Sequence, residues 1–301
     1  MATPLGGVLT ALATPFDSSG EIDAGLLARV VDRSVSAGVG GVVAGGSTGE
    51  FAALDHDERL RLVELVTEQT AGRVPVVAQT GATSTREAIK LSRAAERAGA
   101  DVLMLVTPYY EPLSVAETVA YLKDVCAAVD LPVMLYNIPA ATGVALDLET
   151  VAALAEEVDT IRYVKDSSAN WEFGLQLIHH LGPRVGTFIG WDAYAYSALA
   201  EGATGVLAGT ANVVPEHLVA LHRAVRDGDH DRARRIWGDL YPAIDAMLSQ
   251  PFVAAVKDGL RLTGLDVGLP RPPVAPLDGG ASAVLQRALE QLPPVAPTAA
   301  T

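Results

Sequence analysis

The sequence predicts an α/β fold: a (β/α)8 TIM barrel followed by a C-terminal helical extension. Three observations predict it. Eight short apolar runs alternate with amphipathic helical stretches over about 210 residues, the length and rhythm of such a barrel. The runs are near-continuous in their apolar residues, as suits strands of a parallel sheet buried on both faces. The eight units follow one another evenly, with no break in composition between halves. That evenness favours a closed barrel over a doubly wound open sheet.

The strands are expected at 7–15, 41–45, 75–79, 101–107, 132–137, 161–165, 187–190 and 205–208. Each is short, rich in β-branched residues or leucine, and bounded by Gly, Pro or polar residues. Between them the apolar positions take helical spacing. Ile22, Leu26, Leu27, Val30, Val31 and Val35 form one such stripe, and Leu60, Leu62, Val63 and Val66 a less regular one. Ser84 with Glu87, and Ser114 with Glu117, read as capping boxes that open helices. Gly38, Gly72, Gly99, Gly182 and Gly202 read as helix stops. Beyond the eighth strand, helices are expected near 216–227, 229–249, 251–263 and 280–291, with a Pro-rich extended connector at 268–276. The organisation is therefore a barrel over 1–212 and a helical segment over 213–301, with a mobile tail at 293–301.

Composition narrows the function. The formal charge of −14 argues against nucleic acid or an anionic membrane as partner, because both demand a positive face. The single cysteine, Cys126, cannot form an internal disulfide, and its place in a helix reads as a small buried side chain. The N-terminus lacks the basic and apolar regions of a signal peptide, and no stretch nears the ~20 apolar residues of a membrane span. A cytoplasmic protein is expected.

In such a barrel the active site lies at the C-terminal ends of the strands. Five ends carry polar residues: Gly45-Gly-Ser-Thr-Gly-Glu50, Thr107-Pro-Tyr-Tyr110, Tyr136-Asn-Ile-Pro139, Lys165-Asp-Ser-Ser168 and Gly190-Trp-Asp192. The chain has four lysines. Lys90 and Lys123 sit among polar residues on amphipathic helices, and Lys257 belongs to a C-terminal helix where a structural role is expected. Lys165 ends an apolar strand. There it is either a nucleophile toward carbonyls or a strand-end partner of Asp166. Tyr136 is a proton shuttle or a core aromatic. The Gly-rich turn can offer backbone N–H groups to a carboxylate, or simply turn. The six histidines fall in helices and loops with no metal-ligand setting.

Taken together, Gly46-Ser-Thr-Gly-Glu50, Pro108-Tyr-Tyr110, Tyr136-Asn-Ile-Pro139 and Val164-Lys-Asp-Ser-Ser168 resemble the dihydrodipicolinate synthase/N-acetylneuraminate lyase family of pyruvate-dependent aldolases. The resemblance runs from Leu9 to the C-terminal helices. It implies that Lys165 forms the Schiff base and that Tyr136 is the general acid/base. It places Ser47 and Thr48, with Gly46 of the same turn, on the pyruvate carboxylate. The Thr48 hydroxyl joins Tyr136 in a proton relay, and Tyr110 of a neighbouring subunit completes it. It implies a homotetramer of two tight dimers, and no metal or organic cofactor, since the lysine supplies the electron sink.

The synthase branch carries an arginine where this chain has Ala141, and that arginine grips the carboxylate of its aldehyde. Ala141 therefore argues against 4-hydroxy-tetrahydrodipicolinate synthase. Gly190 and Asp192 resemble the sugar-binding segment of the lyase branch. Ala193 and Gly209 stand where polar contacts are found in that branch. The reading is a class I aldolase that joins pyruvate to an aldehyde or releases it, with 4-hydroxy-2-oxoglutarate or 2-keto-3-deoxy sugar acids as substrate types. A 2-keto-3-deoxy sugar-acid dehydratase would use the same residues. A non-catalytic 2-oxo-acid binding protein would have little reason to keep them.

Overall fold

The computed structural model describes residues 5–295. The first four residues, and 296–301 of the expected tail, lie outside the described residues. The strands are β1 (Gly7–Ala11), β2 (Gly41–Ala44), β3 (Val76–Gln79), β4 (Val102–Val106), β5 (Val133–Asn137), β6 (Ile161–Asp166), β7 (Gly186–Ile189) and β8 (Gly205–Ala208). Each pairs in parallel with the next, and β8 pairs with β1 to close the barrel. The helices of the barrel are α1 (Ala24–Ala37), α2 (His56–Thr70), α3 (Thr85–Arg97), α4 (Val115–Cys126), the single turn α5 (Pro139–Thr142), α6 (Leu148–Glu157), α7 (Trp171–Gln176) and α8 (Ala195–Ala200). The extension holds α9 (Pro215–Arg226), α10 (His230–Leu248), α11 (Phe252–Leu262) and α12 (Gly279–Glu290).

Strand alternation divides the apolar residues into two cores. Leu9, Val43, Val77, Met104, Met134 and Phe188 belong to the set that fills the barrel. Their neighbours in sequence, such as Val42, Ala78, Leu103, Leu135 and Ile189, face the helices in the larger outer core. This is the period of two that every β-strand imposes. It also decides what happens at the strand ends, because a residue's parity sets whether it faces the barrel axis or the helices.

Several local expectations are revised. β1 stops at Ala11, where its pairing with Val43 ends, so 12–15 runs on as a loop. α4 has the full capping box of Ser114 and Glu117. α3 has only half of one: Ser84 accepts the Glu87 N–H, while the Glu87 carboxylate pairs with His56 on α2 instead. Gly182 keeps a helical φ of −48°, because α7 runs on into a π-helical turn over Leu177–Leu181 and no left-handed residue is needed to end it. Cys126 is buried, and burial pushes its thiol up to about 11. Among the described residues no helix is long and apolar enough to cross a membrane.

Candidate active site

The β5/β6 register sets Tyr136 beside Lys165 and Asn137 beside Asp166. Alternation then separates the two pairs. Tyr136 and Lys165 point into the barrel mouth, and the Lys165 Nζ lies 3.8 Å from the centroid of the Tyr136 ring. Asp166 points the other way, accepting hydrogen bonds from Asn137 Nδ2 at 2.8 Å and Ser168 Oγ at 2.8 Å. Among the described residues Lys165 forms no salt bridge with Asp166, so the strand-end ion pair is not what the lysine is for. Both Lys165 and Tyr136 are buried, with 5% and 2% of their surface exposed.

The Tyr136 hydroxyl shares a hydrogen bond of 3.3 Å with Ser47 Oγ. Burial would raise the phenol's pKa. The Lys165 charge and the hydrogen bond from Ser47 outweigh it and hold the phenol below the usual tyrosine value. Ser47 faces the cavity and is exposed, whereas Thr48 is buried, with its Oγ1 turned toward Gly209. The hydroxyl that meets Tyr136 is thus Ser47's. Gly46 lines neither cavity of the site; its carbonyl closes the turn by accepting the Gly49 N–H at 3.0 Å.

A cavity of about 210 Å³ surrounds Lys165, walled by Ser47, Thr48, Tyr136, Ser167, Gly190 and Asp192 among others. Gly190 must lack a side chain. A Cβ there would lie 2.4 Å from Ser167 Oγ and 2.6 Å from Lys165 Cε. Gly209 is under the same constraint from Phe252 of α11, whose ring carbon would stand 2.4 Å from an added Cβ. Asp192 touches the cavity but is committed to the fold: its Oδ2 accepts the Thr210 N–H at 2.8 Å, tying the end of β7 to that of β8. Burial raises its pKa, against the pull of Thr210 and Lys165. One oxygen of the expected sugar-hydroxyl acceptor is therefore already engaged. Ala141 lies on α5 beside a neighbouring cavity, and Tyr110 is 82% exposed, its ring away from its own site.

The C-terminal extension reaches the site, which sequence reasoning missed. Leu248 and Phe252 line the cavity. Lys257 on α11 is buried against Glu50, the residue that ends the Gly-rich turn after β2, with Nζ 2.7 Å from Oε1. It also donates to the Leu269 carbonyl at 3.0 Å and sits 4.2 Å above the Phe16 ring. The Arg271 N–H donates to Glu50 Oε2 at 2.8 Å. The one local signal was a lysine in the apolar stretch Phe252-Val-Ala-Ala-Val-Lys257.

Comparison with known proteins finds relatives along nearly the whole chain. The model of the dihydrodipicolinate synthetase family matches residues 4–292. A 4-hydroxy-tetrahydrodipicolinate synthase of Exiguobacterium sibiricum is 41% identical over 268 residues, covering 89% of this chain and 91% of the relative. A DapA-like lyase of Halobacterium salinarum is 40% identical over 96% of this chain and 95% of its own. Among solved structures, YagE of E. coli K12, a member of the dihydrodipicolinic acid synthase family in complex with pyruvate, superposes with a TM-score of 0.92. It is 33% identical, over 96% of this chain and 99% of YagE. The chain belongs to the dihydrodipicolinate synthetase family.

Proposed function

We propose that this member of the family is a class I aldolase whose nucleophile is Lys165, cleaving a 2-oxo acid to pyruvate and an aldehyde or running the reverse. The neutral amine adds to the C2 carbonyl, and loss of water leaves an imine. The protonated imine draws the electron pair of the C3–C4 bond as the aldehyde departs, leaving an enamine. Protonation at C3 and hydrolysis release pyruvate and restore the amine. Condensation runs the same steps backward.

Tyr136 moves the proton to and from the reacting oxygen. Its lowered pKa narrows the gap to neutral pH that a shuttle must cross. Ser47 is its relay partner, by the 3.3 Å contact. The turn uses the N–H groups of Gly49 and Glu50 on its own carbonyls, so the substrate carboxylate falls to the amides of Ser47 and Thr48. Tyr110 serves the site of a second subunit, within a homotetramer, which accounts for its exposure. A cytoplasmic home belongs to the same proposal.

The observation that carries the reading is a buried lysine amine, in no salt bridge among the described residues, held over a tyrosine ring in a cavity at the barrel mouth. Intact-mass spectrometry after borohydride reduction with pyruvate tests it. The reduced adduct is expected on the wild type and not on Lys165→Ala. No adduct on either overturns the lysine mechanism and leaves a binding protein.

A further inference from the structure

A second cavity, of about 510 Å³, adjoins the Lys165 cavity. Ser47 and Ile138 line both. Two elements also pass from one to the other: α5 gives Ala140 to the first and Ala141 to the second, and α11 gives Phe252 to the first and Val253 to the second. A substrate bonded to Lys165 through C2 would therefore meet the larger space past Ser47 and Ile138.

The larger space offers no free charge. Phe51, Val106, Ile138, Val253, Pro273 and Val274 make most of its wall apolar. Its charged residues are Glu50 and Arg271, and both are already paired. Glu50 is held by Lys257 at 2.7 Å and by the Arg271 N–H at 2.8 Å. The Arg271 guanidinium pairs with the Glu58 carboxylate, donates to the carbonyls of Ala53 at 2.9 Å and Gly20 at 3.0 Å, and lies 4.3 Å over the Phe16 ring. Both ends of its fork are in use, so a ligand anion would have to break an ion pair to reach it. Ala141, in the wall, has no polar side-chain atom to give, and its N–H is spent on the Ile138 carbonyl at 3.0 Å.

We propose that this second cavity is the subsite for the aldehyde half of the substrate and that it selects an uncharged aldehyde with an apolar tail. The proposal rests on the Schiff-base reading. A carboxylate at the end of the tail would leave water for a wall whose remaining donors are the neutral hydroxyls of Ser47, Tyr109 and Thr142, with no unpaired cation to balance its charge, which is heavily disfavoured. An alkyl tail would gain from the apolar wall. Discrimination between two aldehydes of equal length then comes from the missing partner rather than from shape.

Pyruvate consumption is measured with butanal and with succinic semialdehyde, which have equal chain length and differ in terminal charge. The kcat/KM for butanal is expected to exceed that for succinic semialdehyde by roughly 10- to 100-fold. Ala141→Arg places a guanidinium in the wall and is expected to raise kcat/KM on succinic semialdehyde at least roughly tenfold while lowering it on butanal. A gain of this kind cannot come from misfolding. Equal use of the two aldehydes, preference for the anionic one, turnover of neither, or no gain in Ala141→Arg each overturns the proposal. Borohydride trapping of pyruvate on the same wild-type preparation separates the two levels: an adduct with any of these outcomes removes the acceptor proposal alone, and its absence removes the Schiff-base reading beneath it.

Discussion

Lys165 is placed as much by missing atoms as by contacts. Gly190 leaves the space through which the lysine chain passes, and parity along β6 turns Asp166 to the far side, where Asn137 and Ser168 occupy it. Among the described residues Lys165, the proposed nucleophile, is thereby left without a carboxylate that holds it as an ion pair. One position along the Gly-rich turn matters in the same way. Ser47 and Thr48 carry similar hydroxyls, but only Ser47 lies within hydrogen-bond reach of Tyr136. Ser47→Ala removes the relay contact and is expected to lower kcat by roughly 10²-fold, the range in which a positioned proton-transfer group contributes. Thr48→Ala is expected to cost less in kcat, and Ser47→Thr to retain most of the activity because it restores the hydroxyl. Steady-state kinetics on the three variants check this; a larger kcat loss in Thr48→Ala than in Ser47→Ala would return the relay to Thr48. The sequence displayed both hydroxyls. It did not display which faces the phenol, since a turn has no simple parity to read.

Between elements, the contact that matters most joins α11 to the turn after β2. Lys257 and Glu50 are almost fully buried, at 2% and 3% side-chain exposure. Burial holds the Lys257 ammonium below the usual lysine range, against the pull of Glu50. Two charges taken out of water together are costly, and removing one of them is costlier still. Lys257→Met leaves a buried carboxylate at the base of the Gly-rich turn and is expected to destabilise the protein by about 3–5 kcal/mol. Adding Glu50→Gln is expected to recover part of that loss, because the stranded charge goes with it. Urea denaturation of both variants reads the difference. A double variant no more stable than Lys257→Met would mean that the lysine acts through its bond to the Leu269 carbonyl and its place over Phe16 rather than through Glu50. The helix and its lysine were legible from the apolar stretch around Lys257. The partner was not, because Glu50 is brought to it only when the chain closes the barrel and folds back across its mouth.

At the scale of the whole molecule, the barrel was readable because its signal repeats. Eight runs of matched character leave few arrangements, and the candidate catalytic residues follow from standing at the strand ends. The return of the extension over the mouth, which sets Phe252 against Gly209 and Arg271 above Phe16, repeats nothing and left no periodic trace. Assembly leaves a different mark. Tyr109 packs edge-on against Phe51, with ring centroids 5.4 Å apart, while the adjacent Tyr110 stands 82% exposed at the end of a buried strand. A large aromatic ring in water is poorly placed for its own chain, and a two-fold partner would give it a site to complete. That arrangement makes a prediction no single-chain reading shares. Lys165→Ala and Tyr110→Phe are each expected to be nearly inactive or strongly impaired alone. Mixed and allowed to exchange subunits, they form dimers in which one site has Lys165 from one chain and Tyr110 from the other. Random exchange of equal amounts restores about one quarter of all sites, because half of the dimers are mixed and each holds one intact site. Activity rising toward that fraction after mixing would place Tyr110 across the interface. Activity that stays at the average of the two separate variants would place its role, if any, within its own chain.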